Sequence, residues 1–372
     1  MSDPKKTALA IAIQANVPVL LWGAPGTGKT SAIVQLGEEH GLPVETVIAS
    51  IRDPTDFSGL PIPTDNGVIL APPKWAQNLA RQGKGILFLD ELSTAPPAVQ
   101  AALLRVVLEK TVGDLTLPSD VRIIAAANPP DQAAGGWDLS LPLANRFLHL
   151  NWDPLTAQEY AEAIVTGTWP VPNGVGTLPE GWEKNNKYRN IMASFIRSHP
   201  NALLALPKED SKELAWPSPR SWEMCLRLLT AADALKAPDN VRLTLIQGSV
   251  GSAYGMEFFT YISQLDLPDP EEILANESYK LSKRGDVNYL VLLSVVDAVA
   301  NKLTDERVIS AWKVLSDVAT QGGEDVGIVA ATRMGRLTGP HLITAVKDYL
   351  MSYKTVLAMV SKSVTAKTRT PK

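Results

Sequence analysis

The chain has 372 residues, 45% hydrophobic and 20% charged, which is an ordinary globular composition and long enough for two domains. Its formal net charge of −4 excludes a general attraction to nucleic acid or to anionic membranes, although a local basic patch stays open. The single cysteine, Cys225, excludes an internal disulfide. Because no stretch approaches the roughly 20 apolar residues of a membrane span, we expect a cytoplasmic protein without a membrane partner.

Short apolar segments alternate with helical patterns through the first 150 residues. The segments that predict strands are residues 18–23, 44–49, 85–90, 121–128 and 147–152. The helical patterns between them cover residues 28–40, 73–82 and 96–110. Three of the strand segments are almost wholly apolar, which is typical of a parallel sheet covered on both faces. The alternation predicts a doubly wound α/β domain that binds its ligand at the carboxyl ends of the strands.

Residues 23–30, GAPGTGKT, follow the first predicted strand and open a predicted helix. They match the phosphate-loop pattern G-x-x-x-x-G-K-[ST], and a glycine-rich turn that matches by chance is the weaker interpretation in this context. Backbone N–H groups and a helix N-terminus can cradle phosphates. Lys29 is expected to contact the terminal phosphates, and the Thr30 hydroxyl to bind Mg²⁺. The residues expected to bind the nucleotide are Gly23, Ala24, Pro25, Gly26, Thr27, Gly28, Lys29, Thr30 and Ser31.

Two intervals depart from the simple alternation. Residues 58–73 hold Asp65-Asn66-Gly67 between two extended pieces, and residues 111–119 hold Gly113-Asp114 in a similar setting. Both patterns predict β-hairpins. On sequence physics alone, ordinary surface hairpins are favoured at both places.

Acidic and amide side chains end two of the later apolar strands. Asp90 and Glu91 end residues 86–91, and Asn128 ends the strand that follows. Beside a bound nucleotide, Asp90 can hold Mg²⁺ and Glu91 can act as a general base toward water. Asn128 can hydrogen-bond the γ-phosphate and the attacking water. Taken singly, each is also compatible with a solvated acid or a turn-forming asparagine. Together they favour ATP hydrolysis over binding alone.

After about residue 155 the strand signal ends and apolar residues recur at helical spacing. We predict a nucleotide-binding domain over residues 1–153, a helical lid domain over 154–265 and a helical extension over 266–361. Residues 168–181 are rich in proline and glycine and predict a surface loop. The basic tail, residues 362–372, is predicted to be disordered, with nucleic-acid binding as the alternative.

The order of GAPGTGKT, LFLDE, AAANP, LANRF and SPR along the chain resembles the AAA+ ATPases. Over residues 18 to about 235, the chain is similar to the MoxR-type and dynein-related group, which carries an insert near the second helix. This resemblance implies a P-loop NTPase fold, with a doubly wound parallel sheet followed by an all-α lid and a helical C-terminal extension. It also implies that the two hairpins contact the substrate or line a ring pore.

The same resemblance implies roles for two arginines. Arg146 in LANRF matches the arginine finger that reaches the γ-phosphate of a neighbouring subunit, and Arg220 in SPR matches the sensor-2 arginine of the lid. A finger that acts in trans requires a homo-oligomer, which the family implies to be a ring, expected to be a hexamer. A surface ion pair is the alternative for each. Arg105 could also face a subunit interface, but an exposed helical arginine explains it equally well.

The expected function is that of a Mg-ATP-hydrolysing AAA+ ring motor of the MoxR type, which remodels or activates a protein partner as a chaperone does. Relatives of this type imply a von Willebrand A domain protein as that partner. A nucleic-acid motor or loader is the first alternative, which the acidic or neutral hairpin turns disfavour. A slow nucleotide-dependent switch or scaffold is the second. The expected cofactors are ATP and Mg²⁺, and nucleic acid is not expected as a partner.

Overall fold

The computed structural model of the protein describes residues 3–129, 137–167, 176–185, 187–207 and 213–353. The predicted disordered tail lies outside the described residues, as does most of the predicted surface loop. Within the described ranges, no helix is both long enough and apolar enough to cross a lipid bilayer.

Strands occur only in the first half of the described chain. They are β1 Val19–Trp22, β2 Val44–Ile48, β3 Leu60–Thr64, β4 Gly67–Ala71, β5 Lys84–Asp90, β6 Thr111–Val112, β7 Leu115–Thr116, β8 Asp120–Ala127 and β9 Leu148–Asn151. The helices interspersed with them are α1 Pro4–Gln14, α2 Lys29–Glu39, α3 Thr55–Ser58, α4 Lys74–Gln82, α5 Pro97–Glu109, α6 Leu141–Ala144 and α7 Ala157–Thr166. The later helices are α8 Lys187–Ser198, α9 Pro219–Ala234, α10 Asp239–Val250, α11 Ser252–Ser263, α12 Pro270–Asn276, α13 Gly285–Asn301, α14 Asp305–Thr320, α15 Glu324–Leu337 and α16 Ile343–Leu350.

The five predicted strands form one parallel sheet in the order β2-β5-β8-β1-β9. Successive residues of β1 point to opposite faces. Val19 and Leu21 pack in one hydrophobic cluster with α1, whereas Leu20 and Trp22 pack in another with α4 and α5. The predicted α/β fold, with its sheet covered on both sides and helices following it, is therefore confirmed.

The first helix was not predicted. In α1 the Asp3 side chain accepts a hydrogen bond from the backbone N–H of Lys5, and Pro4 occupies the first turn, where its missing N–H costs nothing. Every residue from Thr7 to Ile13 is buried. A helix that is buried all round has no polar stripe, so the 3.6-residue periodicity that reveals other helices is absent here.

Both predicted hairpins, β3–β4 and β6–β7, are present, and they contact each other. The backbone N–H of Asp114 donates to the carbonyl of Leu70 (3.0 Å), and the Asp114 carboxylate accepts from the N–H of Leu70 (2.8 Å). Gly113 has φ +58°, and a Cβ there would lie 2.3 Å from the Leu70 oxygen. Only glycine allows this approach without strain.

Two compact units divide the chain. The first comprises Met1–Lys184 and Asn201–Phe259, and the second comprises Asn185–Pro200 and Thr260–Lys372. In the second unit α8 packs on α13, where the Asp297 carboxylate accepts from the Asn190 amide (2.6 Å) and pairs with Arg333. Part of the predicted lid thus packs with the later helices. The division into domains at residues 153 and 265 stays a prediction.

Candidate active site

The phosphate loop connects β1 to α2, and its glycines serve two different purposes. Gly26 and Gly28 have φ values of +76° and +80° in open space, so the backbone conformation itself favours glycine. Gly23 instead faces the backbone of Trp152, where a Cβ would lie 2.7 Å from the carbonyl oxygen. The Trp152 indole N–H also donates to the carbonyl of Thr27 (3.2 Å). The end of β9 therefore supports the loop from one side.

The Lys29 side chain folds back into the loop and is only 8% exposed. Its ammonium donates to the carbonyl oxygens of Gly23 (2.7 Å) and Ala24 (2.9 Å), and lies 3.4 Å from the amide oxygen of Asn128. Burial lowers the pKa of Lys29, and the charge of Asp90 acts in the opposite direction. A cation held by neutral carbonyls in a buried loop is well placed for an anionic ligand.

Two oxygen-bearing side chains, those of Thr30 and Asp90, meet where α2 begins and β5 ends. The Thr30 hydroxyl donates to one carboxylate oxygen of Asp90 (2.8 Å), and the other oxygen accepts the backbone N–H of Glu91 (2.9 Å). Hydroxyl and carboxylate oxygens are ligands that suit Mg²⁺. This pair of residues fits the metal site expected from the sequence.

Glu91 follows β5 in a left-handed backbone conformation, with φ +56° and ψ +40°. This conformation is uncommon for a residue other than glycine, and here it occurs directly after a strand rather than at the C-terminal end of a helix, as it does at Lys110 and Glu277. The carboxylate is hydrogen-bonded to the Ser50 hydroxyl. Ser50 was not predicted as a site residue. It follows β2, and the pairing of β2 with β5, which sets Ile48 opposite Asp90, is what brings it to Glu91.

Asn128 follows β8 and completes the cluster of strand ends. Its backbone N–H donates to the hydroxyl of Ser93 (3.3 Å), a buried residue on the turn after Glu91. A cavity of about 370 Å³ opens at this edge of the sheet, and its walls include Lys29, Thr30, Asp90, Glu91 and Asn128. The structure thus brings together the polar residues predicted from three separate strands.

A second cavity of about 490 Å³ lies on the other side of the phosphate loop. It shares Gly26, Thr27, Gly28 and Ser31 with the first cavity. Its remaining walls combine apolar or aromatic side chains with a few polar ones, namely Ala32, Gln35, Trp152, Asp153, Pro154, Leu155 and Tyr160. Such a lining suits a flat, partly apolar group next to the phosphate site.

Arg146 and Arg220 line neither of these cavities but lie close to each other. Burial, together with the positive charge of Arg220, lowers the pKa of Arg146. The half-buried Arg146 donates to the carbonyl of Pro142, while its Nε has no hydrogen-bond partner among the described residues. Arg220 is exposed in the first turn of α9. Neither guanidinium forms an ion pair within the described part of the chain.

A parallel sheet with a glycine-rich phosphate loop and an acidic neighbouring strand end defines a P-loop nucleotide-binding protein. Residues 18–147 match the family model of the AAA domain, dynein-related subfamily. Over this part of the chain, the protein is similar to the AAA domains of the dynein-related subfamily.

Curated relatives include midasin of Giardia intestinalis, 29% identical over 164 residues, which are 41% of this chain and 3% of that protein. The Holliday junction branch migration complex subunit RuvB of Parasynechococcus marenigrum is 31% identical over 180 residues, 45% of this chain and 47% of that protein. The chain thus spans less than half the length of these relatives. The solved structure of a candidate ATPase from Cytophaga hutchinsonii aligns with a TM-score of 0.47 and 16% identity, covering 71% of this chain and 89% of the other.

Proposed function

We propose that this protein is a Mg-ATP-hydrolysing ring motor of the MoxR type that remodels or activates a protein partner. The observation that supports hydrolysis most directly is the convergence of Lys29, Asp90 and Glu91 on one cavity. A protein that only holds a nucleotide needs a phosphate-binding cation and metal ligands, but no further carboxylate for activating water. The placement of Glu91 therefore favours an enzyme over a switch.

Each residue at this edge has a role in the proposed reaction. Loop N–H groups and Lys29 bind the β- and γ-phosphates, with phosphate oxygens replacing the loop carbonyls around the ammonium. Thr30 and Asp90 hold Mg²⁺, which when bound neutralises phosphate charge. Glu91 takes a proton from water while the water oxygen bonds to the γ-phosphorus and the bond to the ADP oxygen breaks. Asn128 orients the γ-phosphate and that water.

Two further contacts fit this mechanism. The Ser50 hydroxyl donates to one carboxylate oxygen of Glu91 and so orients the base, while the other oxygen stays available to accept a proton from water. The second cavity suits the adenosine, with Trp152 and Tyr160 beside the base. ATP would then occupy both cavities, with its phosphates along the shared loop.

We assign Arg146 and Arg220 to the active site of a neighbouring subunit. The positive charge of Arg220 acts on Arg146, and neither guanidinium has a carboxylate partner among the described residues, so a phosphate bound by both would relieve their repulsion. AAA+ relatives commonly form ring oligomers. We propose a hexamer in which each subunit completes the site of the next.

Turnover of the Glu91→Gln variant tests the proposed hydrolysis. We expect ATP to bind with little change in affinity, while turnover falls by about 100-fold or more because the amide cannot take the proton. Lys29→Ala should instead weaken ATP binding. Glu109→Gln, an exposed carboxylate on α5 that pairs with Arg105, is the matched control and should behave as the wild type. Unchanged turnover of Glu91→Gln, with wild-type turnover established, would show that Glu91 is not the base.

A nucleic-acid motor is the second candidate, because RuvB is a relative and is named for branch migration. The hairpins speak against it. Residues 60–71 contain one charged side chain, Asp65, and residues 111–116 contain one, Asp114, so neither hairpin offers a cation to a phosphate backbone. Stimulation of turnover by DNA with a steep salt dependence would favour this candidate over a protein partner.

The protein partner is proposed to carry a von Willebrand A domain, as the resemblance to MoxR-type proteins implies. The Glu91→Gln variant, held with ATP, is suited to capturing it. The decisive measurement is turnover of the wild type with the purified partner, which we expect to rise. A captured protein that changes neither turnover nor its own assembly state would contradict the assignment.

A further inference from the structure

His149 on β9 connects two segments of the first unit through its buried ring. Its Nδ1 accepts a hydrogen bond from the indole N–H of Trp22 (2.9 Å), and its Nε2 lies 2.9 Å from the carbonyl oxygen of Ala144. An indole N–H only donates and a carbonyl only accepts, so the ring is neutral and its proton is on Nε2. Both side chains are buried, and their ring planes lie within 12° of each other, with centroids 6.1 Å apart.

The two hydrogen-bond partners of His149 lie next to the two parts of the proposed active site, the phosphate loop of the subunit itself and the arginine that it offers to its neighbour. Trp22 immediately precedes Gly23 of the phosphate loop, whereas Ala144 stands two residues before Arg146. Asn145, which lies between Ala144 and Arg146, accepts a hydrogen bond through its side-chain oxygen from the hydroxyl of Ser218 (2.8 Å). Ser218 is the N-cap of α9, two residues before Arg220. The contacts thus lead from the subunit's own phosphate loop to the arginines proposed for its neighbour.

The two ends of this connection differ in how firmly they are held. Trp22 pairs with Ala127 on one side and with Asn151 on the other, so the sheet fixes it without His149. Ala144 ends the short helix α6, outside the sheet. The backbone of His149 is itself confined, because a Cβ on Gly248 of α10 would lie 2.4 Å from its carbonyl oxygen. Loss of the imidazole should therefore release the arginine segment more than the phosphate loop.

We propose that His149 is a positioning residue, which fixes residues 144–146 against β1 and so sets the reach of Arg146 toward the nucleotide of the next subunit. The proposal rests on the proposed hydrolysis across a subunit interface. If His149 only stabilised the fold, its substitution would weaken hydrolysis in the subunit's own nucleotide site as strongly as hydrolysis in the neighbouring site, which uses the subunit's Arg146.

Rings of mixed full-length subunits separate these two roles. Lys29→Ala subunits offer Arg146 but cannot bind ATP, whereas Arg146→Ala subunits bind ATP and need the neighbour's arginine. Their mixture should recover hydrolysis that neither has alone. Absence of recovery in mixtures that light scattering shows to be assembled contradicts the arginine in trans, and with it the proposed function on which the role of His149 depends.

The second step places His149→Phe in one kind of subunit at a time. In the Lys29→Ala subunits it should lower the recovered turnover at least about tenfold, whereas in the Arg146→Ala subunits turnover should stay within about twofold. His149→Gln in the Lys29→Ala subunits should keep most of the recovery, because a carboxamide can accept from Trp22 and donate to Ala144. Equal losses in both arrangements, or a loss in neither, overturn the proposal.

Thermal unfolding of each variant is measured alongside. If the His149→Phe chain does not fold, Trp22→Phe takes its place, since it removes the N–H donor and keeps an aromatic ring. The same asymmetry between the two kinds of subunit is expected, and its absence is again the result that overturns the role of His149.

Discussion

At the scale of single residues, Lys29 shows how burial prepares a side chain for its ligand. The ammonium is satisfied by two loop carbonyls, which are weaker partners for a cation than phosphate oxygens are. Burial lowers its pKa, so an entering phosphate would stabilise the charged form. The motif identifies the lysine, but its inward orientation depends on the packing of the loop against β8 and β9.

His149 gives a testable pH dependence of stability. Burial lowers its pKa from 6.5 to about 4, outweighing the hydrogen bond to Ala144. Between these two values the unfolded chain binds a proton that the folded chain does not, so the free energy of unfolding decreases as the pH falls. The contribution of this residue is about 3 kcal/mol between pH 6.5 and pH 4.

Urea unfolding at a series of pH values measures this effect. Carboxylates contribute to the pH profile as well, so the informative quantity is the difference between variants. His149→Gln should have a flatter profile than the wild type across this range, and the exposed His40→Gln should not. Identical slopes for His149→Gln and wild type would show that the histidine does not stay neutral in the folded chain.

At the scale of elements, the two hairpins form one composite insert. Their contact at Leu70 and Asp114 uses both the N–H and the carbonyl of Leu70, so this position of β4 cannot pair with a further strand. On β3, Pro61 and Pro63 lack N–H donors. Partners would therefore meet the exposed side chains of Leu60, Ile62, Val68 and Ile69 rather than a free strand edge.

The junction of the hairpins predicts an unequal response of two glycines to alanine. Gly113 and Gly41 have nearly the same φ, +58° and +59°, but only Gly113 has a close neighbour where a Cβ would stand. Gly41→Ala should cost about 1 kcal/mol from backbone strain alone, and Gly113→Ala about 2–3 kcal/mol. Urea unfolding gives both values. Equal costs would mean that the hairpin can move away from Leu70 freely.

Arg105 of α5 contacts this insert. Its guanidinium pairs with Glu109 (3.2 Å) and donates to the carbonyl of Gly113 (3.4 Å). Through these contacts Arg105 joins α5 to the second hairpin, and Arg146 and Arg220 remain the arginines proposed for the neighbouring subunit.

At the scale of the whole molecule, the arrangement of the site predicts assembly that depends on nucleotide. A phosphate shared between one subunit's loop and another's arginines would strengthen their contact. Helix α7 is a candidate for part of the proposed subunit interface, because its side chains Tyr160, Ile164 and Val165 are all more than half exposed.

Light scattering after size-exclusion chromatography tests this prediction. With Mg-ATP, the Glu91→Gln chain should elute at about six times the subunit mass of 40.1 kDa. Lys29→Ala should stay smaller under the same conditions, and Arg146→Ala should need a higher protein concentration to assemble. If the mass of all three variants were the same with and without nucleotide, a phosphate shared between subunits would be contradicted.

The sheet, the phosphate loop and the polar strand ends could all be predicted from local patterns of residues. Asp90, Glu91 and Asn128 could be grouped in advance because parallel strands bring their carboxyl ends to one edge, so local patterns suffice. Their catalytic roles stay predictions until turnover is measured.

The contacts between the motif residues and residues far away in the chain could not be predicted in this way. The contact of Ser50 with Glu91 spans 41 positions, that of Trp22 with His149 spans 127, and the approach of Arg220 to Arg146 joins α9 to the end of α6. Likewise, α1 shows no periodicity because it is wholly buried, and Asn185–Pro200 packs with later helices. Such pairings depend on strand order and helix packing across the chain, which no local pattern of residues encodes.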